Sequence, residues 1–147
     1  IVGILLMIEG GFIMLSAIIS LIYQEGDFLA FLLSGGITSA SGGLAYLYTR
    51  KANLEVTKRD GYVIVTSGWL AFSFFGTLPF LFSGAIPNFT NAFFETISGF
   101  TTTGASILND IESLSHGVLF WRSLTQWLGG MGIIVLTLRR PISCIRG

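Results

Sequence analysis

Charged residues are scarce in this chain of 147 residues. Only 11% of the residues are charged and 52% are hydrophobic, whereas about 25% of the residues of an ordinary soluble domain are charged. So little charge, with a mean hydropathy of +0.76, indicates that much of the chain lies in a lipid bilayer. The eight basic and eight acidic residues balance. No run of Lys and Arg with interleaved aromatic residues occurs, so we expect no nucleic-acid partner.

Cysteine and histidine are almost absent, which excludes several kinds of site. The single Cys144 cannot form an internal disulfide, and the single His116 has no further ligands at the spacing of a zinc site. The chain has no Ser/His/Asp set, no paired carboxylates and no phosphate loop, so we predict that it is not an enzyme. Glu9 interrupts an apolar run. We expect it to hydrogen-bond within a helix bundle or to lie near an interface.

Long uncharged runs divide the chain into segments that can cross a bilayer, which takes about 20 helical residues. The predicted spans are residues 1–23, 28–49, 61–83 and 118–138. The uncharged stretch 61–94 is longer than one crossing requires, and it contains Pro79 and a turn cluster at 84–88. The apolar piece 90–99 is too short to cross. A piece of this length before a polar run with Gly is typical of a re-entrant loop, and Thr90 or Asn91 is its expected N-cap.

The basic residues predict the orientation of these spans. Four lie in the connector 50–60 and three follow Leu138, while the loops 24–27 and 106–117 contain none. The positive-inside rule therefore places both basic segments, and both termini, in the cytoplasm. Four crossings return the chain to its starting side only if the re-entrant loop enters and leaves on the outer side, so the two signals agree.

Glycines are concentrated in two of the spans. In the second span, we interpret them as a surface for close helix packing in lipid. In the last span, two alternatives are open: a hinge, since each glycine weakens a helix by about 1 kcal/mol, or packing against the re-entrant helix. These glycines are Gly35, Gly36, Gly42 and Gly43 in the second span, and Gly129, Gly130 and Gly132 in the last.

The run Thr-Thr-Thr-Gly-Ala at 101–105 has the chemistry of an ion path. An ion that crosses a bilayer must exchange its water shell for protein oxygens, which backbone carbonyls after a short helix can supply. We expect extended backbone at the threonines, and at Gly104 a conformation closed to other residues. The helix over 90–99 directs the negative end of its dipole towards these carbonyls. A cation is therefore favoured there.

Four charged residues lie near this run in the sequence. Glu95, in the middle of the short helix, has two possible roles: an indirect electrostatic effect on a cation, or a structural hydrogen bond to the backbone of 101–105. Arg122, near the outer end of the last span, is expected to snorkel towards the membrane surface. Asp110 and Glu112 are interpreted as solvated loop acids rather than as a trap for cations.

Two motifs resemble a known family. They are NAFFETISGFTTTGA at 91–105, and WRS at 121–123 with QWLGGMGI at 126–133. Together with KRDG at 58–61, they resemble the Trk/Ktr/HKT potassium-transporter superfamily, in particular its bacterial TrkH-type subunits. The resemblance covers about residues 1–138.

This resemblance implies an all-α membrane protein of the bacterial cytoplasmic (inner) membrane. Residues 1–60 would form two N-terminal transmembrane helices with a cytoplasmic connector, and 61–138 one helix, pore loop, helix repeat of a pseudo-fourfold fold. The implied function is potassium uptake, with K⁺ as the transported ion and no other cofactor. The implied ion-binding residues are Thr102, Thr103 and Gly104, which would coordinate K⁺ through backbone carbonyls, with Thr101, Ala105 and Glu95 as ion path or filter support.

The same resemblance implies partners. These are the potassium ion, the remaining pore repeats or a second subunit, and a cytoplasmic nucleotide-binding ring protein that gates the pore. A single filter glycine in each repeat implies loose selectivity over sodium. Only the first of four repeats is present, the chain starts at Ile1 without Met, and the basic tail 139–147 departs from the family. We therefore expect an N-terminal fragment, and the alternative function is a truncated, non-conducting membrane piece that packs with other subunits.

Overall fold

A computed structural model describes residues 2–49, 58–108 and 110–138. The atypical tail 139–147 and most of the predicted connector 50–60 lie outside these residues. Within them the regular structure is entirely helical, which confirms the predicted all-α class. The helices are α1 (Val2–Ile22), α2 (Phe28–Thr49), α3 (Lys58–Gly76), α4 (Leu78–Phe82), α5 (Phe89–Phe100) and α6 (His116–Leu138).

Small residues allow α1 and α2 to pack as a close hairpin. A Cβ atom added at Gly3 would lie 2.7 Å from the carbonyl oxygen of Gly42, and one at Gly42 would lie 2.7 Å from the oxygen of Gly3. Gly10 and Gly35 make the same kind of contact about two helical turns further along the hairpin. The packing interpretation therefore holds for two of the four glycines of α2, since Cβ atoms at the neighbouring Gly36 and Gly43 would meet open space.

The third predicted span is broken into α3 and α4 at Thr77. The Thr77 hydroxyl donates to the Ser73 carbonyl at 2.6 Å, and Pro79 at the start of α4 has no N–H to continue the ladder. Trp121 of α6 donates its indole N–H to the Gly76 carbonyl at 3.0 Å, so a carbonyl at the break keeps a partner. The hydrogen bond from Trp121 therefore connects the end of α3 to α6.

Three stretches in the described residues are long and apolar enough to cross a membrane: Val2–Ile22, Phe28–Thr49 and Gly61–Phe82. They match the first three predicted spans. The predicted last span, 118–138, lies within the 23-residue helix α6, and its crossing stays a prediction. Large apolar side chains such as Ile8, Leu29 and Leu47 are 51%, 64% and 63% exposed, as lipid-facing residues require.

The core lies where α6 meets the hairpin and α4. Ile13, Phe31, Phe80, Val118 and Trp121 are at most 1% exposed there. Trp121 is the largest of these side chains. The buried Trp121 side chain therefore fixes the axial position of α6 relative to the break at Thr77.

Glu9 is 2% exposed and lies against Gly76, where an added Cβ atom would be 3.0 Å from Oε1 of Glu9. Neither carboxylate oxygen has a hydrogen-bond partner among the described residues. The expectation of a hydrogen bond within the bundle was therefore wrong, while the alternative, a position near a membrane interface, stays a prediction.

Candidate ion-path segment

The short helix α5 delivers the run 101–105. Its N-cap is Asn88, whose side chain accepts a hydrogen bond from the Thr90 N–H at 3.0 Å. The prediction of Thr90 or Asn91 as the cap was wrong, because Asn88 has the extended backbone (φ −88°, ψ 121°) that an N-cap needs and the helix begins at Phe89. The helix is 12 residues long and ends at Phe100, so its C-terminus points directly into the run.

A left-handed residue ends this helix. Thr102 has φ +56°, its N–H bonds to the Gly99 carbonyl at 3.0 Å, and the Thr103 N–H bonds to the Ser98 carbonyl at 3.0 Å. This pair of bonds is the Schellman motif, which normally has glycine at the left-handed position. A β-branched threonine there costs about 1–3 kcal/mol of local strain.

The expected extended backbone was wrong at the first two threonines. Thr101 has helical angles (φ −81°, ψ −1°), and Thr102 is left-handed. Capping of α5 takes precedence over the extended preference of β-branched residues, because the helix end needs partners for its last carbonyls. Gly104 has φ +75°, a left-handed backbone that favours glycine, although it is not closed to other residues, since Thr102 is left-handed too.

Hydroxyl groups hold the run at both ends. Thr101 donates to the Ile97 carbonyl at 2.8 Å, so the 2.8 Å contact between the Thr101 and Thr103 hydroxyls is donated by Thr103. Ser98 of α5 donates to the Ala105 carbonyl at 2.6 Å. The run is therefore a closed loop on the end of α5 rather than a free strand.

The middle of this loop has free acceptors. Residues 101–106 are all exposed. In the described part of the chain, none of the carbonyl oxygens of residues 101–104 accepts a hydrogen bond. A row of exposed carbonyls without partners can replace the water shell of a cation.

Glu95 lies behind the loop and is 4% exposed. Its carboxylate accepts hydrogen bonds from the Ser106 hydroxyl at 3.0 and 3.1 Å and from the Ile107 N–H at 3.1 Å. Of its two possible roles, the geometry favours the structural one, although the backbone that it holds is just after 101–105. Glu95 thus connects the middle of α5 to the chain that leaves the loop.

Arg122 pairs with this carboxylate. Its Nε lies 2.7 Å from Oε1 of Glu95, and its side chain is 19% exposed. The guanidinium therefore pairs with a buried carboxylate instead of the expected snorkelling. Sequence reasoning gave no role to Ser98 or Ser106 and missed this pairing. The spacing of 27 residues between Glu95 and Arg122 has no local signature.

Two glycines allow α5 and α6 to pack closely behind the loop. A Cβ atom at Gly129 of α6 would overlap the Phe100 carbonyl oxygen, and one at Gly99 would overlap the Thr125 hydroxyl. Gly130 and Gly132 have room, with their nearest neighbours 3.9 Å away. Packing against α5, the second of the two alternatives for these glycines, therefore applies at Gly129.

Asp110 and Glu112 are exposed, as expected of solvated loop acids. The Asp110 backbone carbonyl accepts from the Ser113 hydroxyl at 3.1 Å. In the described residues, no group of three or more His, Cys, Asp or Glu side chains is arranged to hold a metal ion.

Comparison with known proteins gives consistent matches. Residues 29–140 match the model of the TrkH family, described as a cation transport protein. The Trk system potassium uptake protein TrkH of Escherichia coli K12 is 42% identical over 138 residues, which is 92% of this chain and 28% of the relative. The potassium uptake protein TrkG of the same strain is 34% identical over 120 residues, which is 81% of this chain and 25% of the relative.

A solved structure has the same fold. The crystal structure of the potassium transporter TrkH from Vibrio parahaemolyticus superposes with a TM-score of 0.86 at 36% identity, and the match covers 93% of this chain and 30% of that one. The chain thus spans less than a third of the length of these relatives.

Proposed function

The chain belongs to the TrkH family of cation transport proteins, and from that premise we propose that it is part of a Trk-type subunit that takes up potassium ions. Its relatives are named potassium uptake proteins. The observation that carries the proposal is the run of exposed residues 101–104, whose carbonyl oxygens have no hydrogen-bond donor in the described residues.

The proposed ligands are the backbone carbonyls of Thr102, Thr103 and Gly104. Left-handed φ values at Thr102 and Gly104 turn the backbone twice within three residues, which would let carbonyls from a short stretch face one point. Thr101 and Ala105 would line the path on either side, since the Thr101 hydroxyl donates to the Ile97 carbonyl of α5 and the Ser98 hydroxyl of α5 donates to the Ala105 carbonyl. Because the loop 101–105 is already held at both ends, its backbone loses little conformational freedom when an ion binds.

The sign of the ion follows from the helix and from the charge behind it. The C-terminal end of α5 carries about half a negative elementary charge, directed at the loop. The charge of Glu95 is paired with that of Arg122, so the pair adds little net field. Cation preference would therefore arise from the carbonyls and the helix dipole together.

The arrangement in the membrane is part of the same proposal. Residues 1–60 would form the N-terminal pair of transmembrane helices and 61–138 one pore repeat, with both termini in the cytoplasm of a bacterial cell and the loop open to the outside. One loop supplies one wall of carbonyls, so the proposed pore needs further walls from other repeats or subunits. Gating by a cytoplasmic nucleotide-binding ring protein is proposed from the family resemblance alone.

A second candidate function follows from the presence of only one such loop in the described residues. This chain by itself would pack with other subunits without conducting. The free carbonyls then would face a partner's backbone rather than an ion.

A chimera tests the proposal. The matching stretch of about 138 residues in the E. coli TrkH is replaced by this chain, and the product is expressed in cells that lack their own potassium uptake. We expect growth at low potassium and uptake of rubidium. A chimera that inserts in the membrane at normal levels but takes up no rubidium contradicts the proposal. The 147-residue chain expressed alone in the same cells tests the second candidate.

A further inference from the structure

A carboxylate from the N-terminal hairpin caps α6. Oε1 of Glu25 accepts hydrogen bonds from the His116 N–H at 2.9 Å and from the His116 ring Nδ1 at 2.8 Å. Oε2 accepts from the Gly117 N–H at 3.2 Å. These are the first two N–H groups of α6, which have no partner within the helix. An acidic side chain at this end is also favoured by the helix dipole.

The turn that carries Glu25 is rigid. Gln24 has φ +54°, its N–H bonds to the Leu21 carbonyl at 3.1 Å, and the Glu25 N–H bonds to the Ser20 carbonyl at 3.1 Å. This is a second Schellman motif, and it places Glu25 at a fixed position after α1. Tyr23 stacks on the His116 ring at 4.0 Å with an interplanar angle of 1°. We call Tyr23, Glu25 and His116 the outer clamp.

We propose that Glu25 is a positioning residue for the ion path: the outer clamp fixes the start of α6, the helix that carries Arg122, and so makes the N-terminal hairpin part of the pore structure. Arg122 follows His116 by six residues, less than two helical turns. A shift of the start of α6 therefore moves the guanidinium that holds Glu95. The role in transport rests on the proposed function, whereas the clamp itself does not.

The clamp has a defined pH range. Burial raises the pKa of Glu25, but the hydrogen bonds from His116 and Gly117 outweigh it and leave the pKa below its ordinary value. A lowered pKa means that the stabilisation is fully present above the ordinary value of about 4.3 and is lost as the pH falls through the lowered value. The His116 ring can donate from Nδ1 whether it is neutral or charged. Asp27 and Glu112 are the other charged residues within four positions of Glu25 or His116 in the sequence.

Distance measurements on the whole chain test the clamp. Spin labels are attached to cysteines at Leu29 on α2, which is 64% exposed, and at Ser123 on α6, which is also exposed, in a Cys144→Ser background in lipid nanodiscs. At about pH 7 we expect a narrow distance distribution for the labelled chain and for Asp27→Asn, but a broad one for Glu25→Gln. Asp27→Asn is the matched control, because it removes a charge from the same turn without removing a cap.

The pH profile is the second readout. The distance distribution of the labelled chain should stay narrow above the ordinary carboxylate pKa of about 4.3 and broaden as the pH falls below it, whereas that of Glu25→Gln should be broad throughout. A narrow distribution for Glu25→Gln, equal broadening by Asp27→Asn, or no change in the labelled chain down to about pH 2 overturns the clamp. Since the last of these needs no change at Glu25 or Asp27, a substitution that misfolds the protein cannot hide the answer.

Transport then tests the role in the pore. In the chimera with E. coli TrkH, Glu25→Gln should lower rubidium uptake severalfold while Asp27→Asn leaves it unchanged. Equal uptake by the two overturns the positioning role. A chimera that transports nothing in any form contradicts the proposed function instead, and the distance measurement still decides the clamp.

Discussion

The guanidinium of Arg122 lies 2.7 Å from the carboxylate of Glu95 and joins α6 to the middle of α5 behind the exposed loop. The same carboxylate accepts from Ser106 and Ile107. One buried charge therefore holds α5, the chain leaving the loop and α6 in register. Its removal should disturb all three.

Breaking this pair from one side should be costly. Arg122→Met leaves a buried carboxylate unpaired, and we expect the free energy of unfolding to fall by about 3 kcal/mol. The double variant Glu95→Gln/Arg122→Met leaves no unpaired charge and should lose less than the sum of the two single variants. Denaturant unfolding of all four proteins in detergent gives the coupling energy. Additive losses would show that the contact is not formed in solution.

Gly104 and Gly84 form a matched pair of left-handed glycines. Their φ values are +75° and +73°, and an added Cβ atom has nothing within 4 Å at either position. Alanine at either site should therefore lower stability by about 1–2 kcal/mol. Only Gly104→Ala should also reduce rubidium uptake by the chimera. Equal uptake by the two variants would contradict an ion path at residue 104.

The Ser98 hydroxyl should stabilise the far end of the loop. Ser98→Ala removes its 2.6 Å bond to the Ala105 carbonyl, and we expect a loss of about 1 kcal/mol in unfolding free energy. Ser123→Ala is the control, since that hydroxyl is exposed and, among the described residues, bonds only to the Leu119 carbonyl of its own helix. It should change stability by less than about 0.5 kcal/mol. Equal effects would mean that the Ser98 bond contributes nothing specific.

Neighbouring glycines of α6 should differ sharply. A methyl group at Gly129 overlaps the Phe100 carbonyl, whereas at Gly130 the nearest atom is 3.9 Å away. Gly129→Ala should destabilise the protein by about 1–3 kcal/mol through overpacking. Gly130→Ala should be neutral or stabilising, because alanine favours the helix. Thermal unfolding compares the two, and similar melting temperatures would rule out the close contact between α6 and α5.

The sequence predicted those features that depend on local pattern. Uncharged runs of membrane length predicted α1, α2 and the third span, and the turn cluster before a short apolar piece predicted α5. The unusual backbone at residue 104 was also predictable, because a glycine that follows three threonines in a polar loop indicates a conformation that other residues rarely adopt.

Features that depend on contacts distant in the sequence were missed. Arg122 pairs with Glu95 rather than with the membrane surface, since the partner is adjacent only after α6 packs on α5. Glu25 was read as part of a short polar turn, although it caps a helix 91 residues away in the sequence. One local feature was missed as well. The left-handed backbone of Thr102 could not be foreseen, because threonine rarely takes this conformation and the end of α5 imposes it.

Anomalous diffraction from crystals of the chimera soaked in rubidium tests the central claim most directly. We predict an anomalous peak coordinated by the carbonyl oxygens of Thr102, Thr103 and Gly104. A map in which these oxygens bond to protein groups and the rubidium lies elsewhere along the pore would contradict the account.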